Sequence, residues 1–288
     1  MEEFLPSELI LTQEGQIYHL GIAPDELAHK IIIVGDQARV EVVSNYFDGV
    51  THKSQHREFS CHTGTYKGKH LSVVSTGIGT DNIDIVLNEL DALVNINFNQ
   101  RQENNKKVVL EIVRIGTCGI LQDDIPVDSF ILSSHAMGID NLGHFYQLDV
   151  AQEDAALLEE IEKKTALPEK IHPYLTAANT ELVARLASTE IVKGITITAS
   201  GFYGPQGRKL RLPLAEENML NSFSDFRLGG HRFTNLEMEC SALFALSKSL
   251  GHKAAAICLG LANRRKKEFS SNYEARIRTL IEYVLDRI

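Results

Sequence analysis

The 288 residues carry a formal net charge of -9, 43% hydrophobic content and four cysteines. That balance excludes a generally cationic nucleic-acid binder and allows an ordinary globular core. Cys61, Cys118, Cys240 and Cys258 are isolated and no His/Cys cluster has zinc spacing, so neither a disulfide framework nor a metal centre is expected.

The start, Met1-Glu2-Glu3-Phe4, is acidic and does not read as a secretory leader. No stretch approaches the ~18 apolar residues of a membrane helix. A reduced, cytoplasmic setting is expected. Residues 1–30 are mixed and expected to wrap over a surface, with Tyr18-His19-Leu20-Gly21 their notable piece. Ile31-Ile32-Ile33-Val34 is a β-branched run of the kind found in buried strands. Gly35-Asp36 ends it, and Val40, Val43 and Phe47 follow at helical spacing, with Arg39 near the start. Gly-x-Gly-x-x-Gly is missing there, so a dinucleotide site is poorly supported.

Ser54–Thr65, including Gln55-His56-Arg57-Glu58-Phe59, reads as a strand or its edge, and Leu71–Ser75 as another strand. Thr76-Gly77-Ile78-Gly79-Thr80 follows. A helix of about 15 residues comes next, with Ile83, Val86, Leu87, Leu90, Leu93 and Val94 at helical spacing. Asn99–Lys107 reads as an exposed loop or insertion. The strand 108–115 follows, with Arg114 where its apolar run stops, and Gly116 and Gly119 are expected to turn the backbone beside Thr117.

Phe130–Leu132 is a strand, Gly138–Tyr146 irregular, and Ala151–Thr165 and Thr180–Ala187 helices. The threonine-rich strand Gly194–Ser200 leads into Gly201-Phe202-Tyr203-Gly204-Pro205-Gln206-Gly207-Arg208. Asn235-Leu236-Glu237-Met238-Glu239 precedes an apolar helix, Cys240–Leu250, closed by Gly251. Ala254–Leu261 is a buried strand ending in Asn263-Arg264, and a final helix from about 273 puts Ile277, Leu280, Ile281, Val284 and Leu285 on one face. Without linker or repeat, residues 1–288 read as one α/β domain. Ligands of such sheets bind beyond the carboxyl ends of the strands.

Arg39, Arg57 and Arg114, with the Gly35 amide and the Thr117 hydroxyl, could hold a tetrahedral dianion such as phosphate. Alternatively each arginine pairs with a structural carboxylate. Glu237 and Glu239 could complement a helix N-terminus, or accept hydrogen bonds from a ribose diol. Paired acid/base work is disfavoured, because residues two apart do not readily flank one bond. Gln206 and Arg208 together suit the edge of an imide such as uracil, with Phe202 to stack. His19, on its residues alone, is an isolated histidine.

Together, and in this order, Gly35-Asp36 with Arg39, His56-Arg57-Glu58-Phe59, Ser75-Thr76-Gly77-Ile78-Gly79, Arg114-Ile115-Gly116-Thr117, Phe202-Tyr203 with Gln206 and Arg208, Asn235–Glu239 and Asn263-Arg264 resemble the nucleoside phosphorylase family, in its uridine phosphorylase branch. The resemblance runs from about His19 to about Arg265. It implies a three-layer α/β/α fold with a mixed, partly barrel-like central sheet. The implied reaction is phosphorolysis of uridine, deoxyuridine or thymidine to the base and the pentose 1-phosphate. Phosphate would be a co-substrate, and no cofactor is implied.

By the same resemblance Gly35, Arg39, Arg114 and Thr117 form the phosphate site of one subunit, and Arg57 is lent by its neighbour. Glu237, Met238 and Glu239 take the ribose. His19 reaches across a dimer interface to the 5′-hydroxyl, so a homo-oligomer is implied. Gln206 and Arg208 read the base beside Phe202, with Arg264 in support. Glu58 and Ser75 match positions that hold a monovalent cation, such as potassium, in some members. Catalysis falls to Arg114, Thr117, Gln206 and Arg208. Leu261-Ala262-Asn263-Arg264 lacks the acid of purine-specific relatives. A purine nucleoside phosphorylase, a nucleosidase and a non-catalytic nucleoside binder are the competing readings.

Overall fold

A computed structural model describes residues 3–288; Met1 and Glu2 lie outside the described residues, and with them part of the acidic start. The chain opens with β1 (Lys30–Val34), α1 (Gln37–Ser44), β2 (Gly49–His56), β3 (Phe59–Tyr66), β4 (Lys69–Ser75) and α2 (Thr80–Asn95). Next come β5 (Ile96–Asn97), β6 (Gln102–Glu103), β7 (Glu111–Ile120), β8 (Phe130–Gly138), α3 (Gln152–Lys164), β9 (Tyr174–Ala177), α4 (Thr180–Leu186) and β10 (Val192–Thr198). It closes with α5 (Met219–Asp225), β11 (Phe233–Glu237), α6 (Cys240–Ser249), β12 (Lys253–Asn263), β13 (Glu268–Phe269) and α7 (Tyr273–Arg287).

β1 is apolar on both faces because it lies between two parallel neighbours, β4 and β7, with helices above and below. Its alternate residues feed two cores. Ile31 and Ile33 join Leu87 and Leu90 of α2 and Leu243 of α6; Ile32 and Val34 join Val40 and Val43 of α1 and Leu280 and Ile281 of α7. This gives the three layers. β12 pairs with both β7 and β8, and β8–β10–β11–β7 complete a ring. The sheet is therefore mixed and partly closed into a barrel, while β1, β4, β3 and β2 extend as an open wing.

The structure corrects four expectations. β7 does not stop at Ile115 but runs on to Ile120, so Gly116 and Gly119 are strand residues and not turns. Gly116 is required for another reason: a Cβ there would lie 1.7 Å from Arg114 Nη1. The Arg114 side chain fills the space of its i+2 neighbour on the same strand face. Asn99–Lys107 is not wholly a loop, since Gln102–Glu103 pairs antiparallel with Ile96–Asn97. β8 extends through Gly138, beyond the short strand expected, because β10 and β9 flank that part of it. The N-terminal segment is not a surface wrapping alone: Leu9, Ile17, Leu20 and Ile22 are buried in the core beside α2. Gly251, by contrast, caps α6 as expected, with φ +80°.

Candidate active site

The site grows from the middle of β7. Arg114 is 4% exposed. Its Nη2 donates to Glu239 Oε2, and its Nη1 lies 3.6 Å from Glu237 Oε2. The register pairs Arg114 with Ile33 of β1 and Ala256 of β12, two wholly apolar strand positions. Burial opposes the charge on Arg114, but the two facing carboxylates outweigh that cost and hold its pKa above the ordinary value.

The two glutamates are held differently. Glu237 ends β11 and sits at the N-terminal turn of α6. Its carboxylate accepts from Thr198 Oγ1 at 2.7 Å, from the Glu239 amide at 2.9 Å and from the Cys240 amide at 3.0 Å. Its acceptor capacity is taken up by the protein. Glu239 accepts from the Gly79 amide at 2.9 Å and from Arg114. Gly79, at φ +98°, turns its N–H inward as the residue preceding α2, a backbone conformation suited to glycine. Two carboxylates share one guanidinium. Burial, with the Glu239 charge adding to it and Arg114 offsetting part, pushes the Glu237 carboxyl up to about 8.

Three cysteines isolated in sequence meet beneath this centre. Cys258 Sγ accepts from Arg114 Nη1 at 3.5 Å. Hydrogen bonds from Cys118 and Cys240 hold the Cys258 thiol well below its usual range, whereas burial pushes the other two up. All four cysteines are buried and unbridged.

Arg39 projects from α1, half-buried, behind the Gly35-Asp36 turn. Asp36 caps that helix, accepting from the Ala38 amide at 3.0 Å. Burial lowers the Arg39 pKa, with Asp36 opposing and Arg114 adding to the shift. Among the described residues its side chain has neither a hydrogen bond nor an ion pair. Two cations, Arg39 and Arg114, thus lie within electrostatic reach of each other.

A second cluster is built on the loop after β10. Arg208 Nη1 donates to Gln206 Oε1 and to the Phe202 carbonyl, each at 2.6 Å, and its guanidinium covers the Phe202 ring at 3.7 Å. That face of Phe202, expected to stack on a base, is occupied by Arg208. Gln206 is buried, and Phe202 is exposed. Burial, with Arg264 adding to it, lowers the Arg208 pKa to about 10. Arg264 Nη1 is itself buried without a hydrogen-bond partner among the described residues, and Arg264 Cγ would lie 3.6 Å from a Cβ on Gly119. Asn263 braces the chain beside it, where its Nδ2 donates to the Gln122 and Ile125 carbonyls and its Oδ1 accepts from the Arg265 amide. Half-exposed Thr117 is three residues from Arg114 and two from Gly119, roughly 10 and 7 Å along a strand. It lies between those two residues on β7. Met238 is half-buried between the two glutamates.

His19 and Arg57 lie apart from both clusters. No hydrogen bond, ion pair or ring contact joins them to Arg114, Glu237 or Glu239 among the described residues. His19 Nδ1 is 2.7 Å from Glu89 Oε1, and Glu89 also accepts from the His19 and Leu20 amides. Arg57 is exposed at the turn joining β2 to β3, with φ +54°, beside Tyr18. Its carbonyl accepts from Gln37, which places this turn against the start of α1. A cleft of about 940 Å³ runs between the N-terminal segment and α2 and includes His19 and Glu89. Glu58 is exposed at the same turn, and the Ser75 hydroxyl donates to its carbonyl at 2.8 Å.

Thr198, Glu89 and the three thiols Cys118, Cys240 and Cys258 were not anticipated as site residues. Thr198 had a faint signal in the alternation Thr196-Ile197-Thr198, which aims two hydroxyls at one face. Glu89 had none, since its contacts join residues 70 apart.

A partly closed mixed sheet, with an arginine inside one strand facing glutamates at the end of another, defines an α/β protein of nucleoside-phosphorylase type. The chain belongs to the phosphorylase superfamily, whose family model matches residues 29–286. It is 29% identical to a uridine phosphorylase of Thermococcus kodakarensis over 93% of this chain and 85% of that protein. Its structure resembles that of a Trypanosoma brucei nucleoside phosphorylase described as showing uridine phosphorylase activity, with a TM-score of 0.90, 31% identity, and coverage of 97% and 99% of the two chains. A DeoD-type purine nucleoside phosphorylase of Geobacillus stearothermophilus is 34% identical over 40% of this chain and 44% of its own length.

Proposed function

We propose that this chain is a pentosyltransferase that cleaves uridine with phosphate, giving uracil and ribose 1-phosphate. The observation that carries the reading is the Arg114–Glu239 pair on β7 together with the Gln206–Arg208 pair on the loop after β10, linked by Arg264, which lies beside Gly119 of β7 and within electrostatic reach of Arg208. Residues 1–288 act as one domain in this reading.

Arg39 and Arg114 supply the cationic ground for phosphate, with Gly35 and Thr117 beside it and Arg57 contributed by a second copy of the chain. Glu239 takes the ribose hydroxyls as a hydrogen-bond acceptor by exchanging its Arg114 and Gly79 partners. Met238 packs against the sugar. Glu237, saturated by donors, holds the pair in place. His19, oriented by Glu89, meets the 5′-hydroxyl of a nucleoside in the neighbouring subunit.

As the glycosidic bond lengthens, the pentose gains oxocarbenium character and the departing uracil gains negative charge. Gln206 donates to the uracil edge through its amide while Arg208, backed by Arg264, stabilises that charge. Phosphate is already an anion and needs no general base. Its oriented approach to C1′ completes the displacement without a covalent intermediate. A potassium ion at Glu58 and Ser75 would tie the β2–β3 turn of one subunit to its neighbour. A cytoplasmic setting accords with the free buried thiols, and no described helix is long and apolar enough to cross a membrane.

Incubation with uridine, inosine and methylthioadenosine, each with and without phosphate, tests the reading. Uracil release that requires phosphate is expected. Cleavage of inosine in preference to uridine would assign the purine branch, phosphate-independent cleavage a nucleosidase, and uridine binding without cleavage a non-catalytic binder.

A further inference from the structure

Thr198 is the last residue of β10 and is fully buried. We propose that it is a positioning residue for the reaction, its hydroxyl locking the Glu237 carboxylate in the orientation that keeps Arg114 directed at phosphate. The proposal rests on the reading of Arg114 as a phosphate ligand.

The direction of each hydrogen bond follows from donor counting. The Ser241 amide, in the first turn of α6, donates to Thr198 Oγ1 at 2.9 Å. A hydroxyl has a single hydrogen, and the Thr198 one therefore goes to Glu237 Oε1 at 2.7 Å. Strand pairing sets Thr198 directly opposite Glu237 on β11 and Gly138 on β8. Behind it, Ser241 Oγ donates to Asp140 Oδ2 at 2.8 Å, and Tyr174 Oη reaches Asp140 Oδ1 at 2.9 Å. Tyr174, Asp140, Ser241, Thr198 and Glu237 are all buried, so the chain of bonds passes through the protein interior. Beyond the hydrogen bonds, Glu237 Oε2 makes an ion pair with Arg114 Nη1 at 3.6 Å.

The Glu239 and Cys240 amides hold Glu237 from the helix side alone. Thr198 holds it from the opposite strand, and it is the neutral side chain that donates to this carboxylate among the described residues. Removing the hydroxyl leaves the carboxylate free to swing on its χ3 and strands the Ser241 amide. It also disfavours the anion, since a donor to the charged form is lost.

Two variants and three readouts test this. Thr198→Val keeps the β-branched shape and deletes the donor; Thr198→Ser keeps the donor and deletes a methyl. Affinity for inorganic phosphate is measured by calorimetric titration, kcat and KM for uridine and phosphate by uracil release across pH, and Tm by calorimetry. Thr198→Val should weaken phosphate binding and raise its KM roughly tenfold, with a smaller change in uridine KM and the acid limb of the pH profile moved to higher pH. Thr198→Ser should restore both. Thr198→Val with wild-type phosphate affinity and pH profile, whatever its Tm, would reduce Thr198 to packing. Equal impairment of the two variants would overturn the proposal as well. If the wild-type chain binds phosphate but releases no uracil, the uridine reading fails, and Thr198 is then judged on phosphate affinity alone.

Discussion

The Arg114 centre and the Gly201–Arg208 loop are both built around an arginine, but in opposite ways. Arg114 is enclosed by strands, answered by two carboxylates and a thiol, and its space is kept clear by Gly116. Arg208 is half-buried on a loop, answered by neutral oxygens and a ring face, and faces another cation, Arg264. A buried, compensated arginine is part of the fold as well as of the site. An under-compensated arginine on a loop contributes little to the fold and is available to meet developing negative charge. The contrast teaches where stability and activity should separate under mutation.

The largest effect is expected from Arg114→Ala. It leaves two buried carboxylates without their cation, which costs about 3–5 kcal/mol and lowers Tm. Uridine kcat/KM should fall by about 10³. Retention of wild-type Tm would erase the contrast at its strongest point.

Arg208→Ala should lower kcat for uridine by roughly 10²–10³ while stability stays within about 0.5 kcal/mol and phosphate affinity is kept. Calorimetry beside steady-state kinetics reads both halves. Gly116→Ala comes next: a methyl 1.7 Å from Arg114 Nη1 must displace the guanidinium. It should cost about 1–3 kcal/mol and raise phosphate KM, with kcat at saturating phosphate less affected.

The smallest effect concerns pH. Glu237 has a folded-state pKa of about 8 against an ordinary value of 4.5. A carboxyl that binds its proton more tightly when folded contributes stability that is fully present below about 4.5 and lost as pH rises through about 8. Tm measured from pH 5 to 8.5 should therefore decline more steeply for the wild type than for Glu237→Gln. Parallel curves would mean that Glu237 does not titrate in this window.

Much of the fold was legible because its signals are local. Ile31–Val34 reads as a two-sided buried strand from its own residues, and Gly251 and the 3.6-residue spacing of α7 define their elements unaided. The run of β7 past Ile115 was not legible. Glycine after an arginine looks like a turn unless one knows that the guanidinium folds back over it. The loop cluster was visible as Gln206-x-Arg208, yet the covering of Phe202 by Arg208 depends on how the loop folds. Glu237 and Glu239 look alike in sequence. They separate because Thr198 and the α6 amides converge on one and Gly79 on the other, through contacts 39 and 160 residues away.

The central claim is that phosphate, gripped by Arg114, is the group that displaces uracil. Phosphorus NMR of a reaction with uridine and inorganic phosphate tests it most directly. Ribose 1-phosphate should appear in step with uracil. Uracil accompanied by free ribose, with inorganic phosphate unconsumed, would contradict the account.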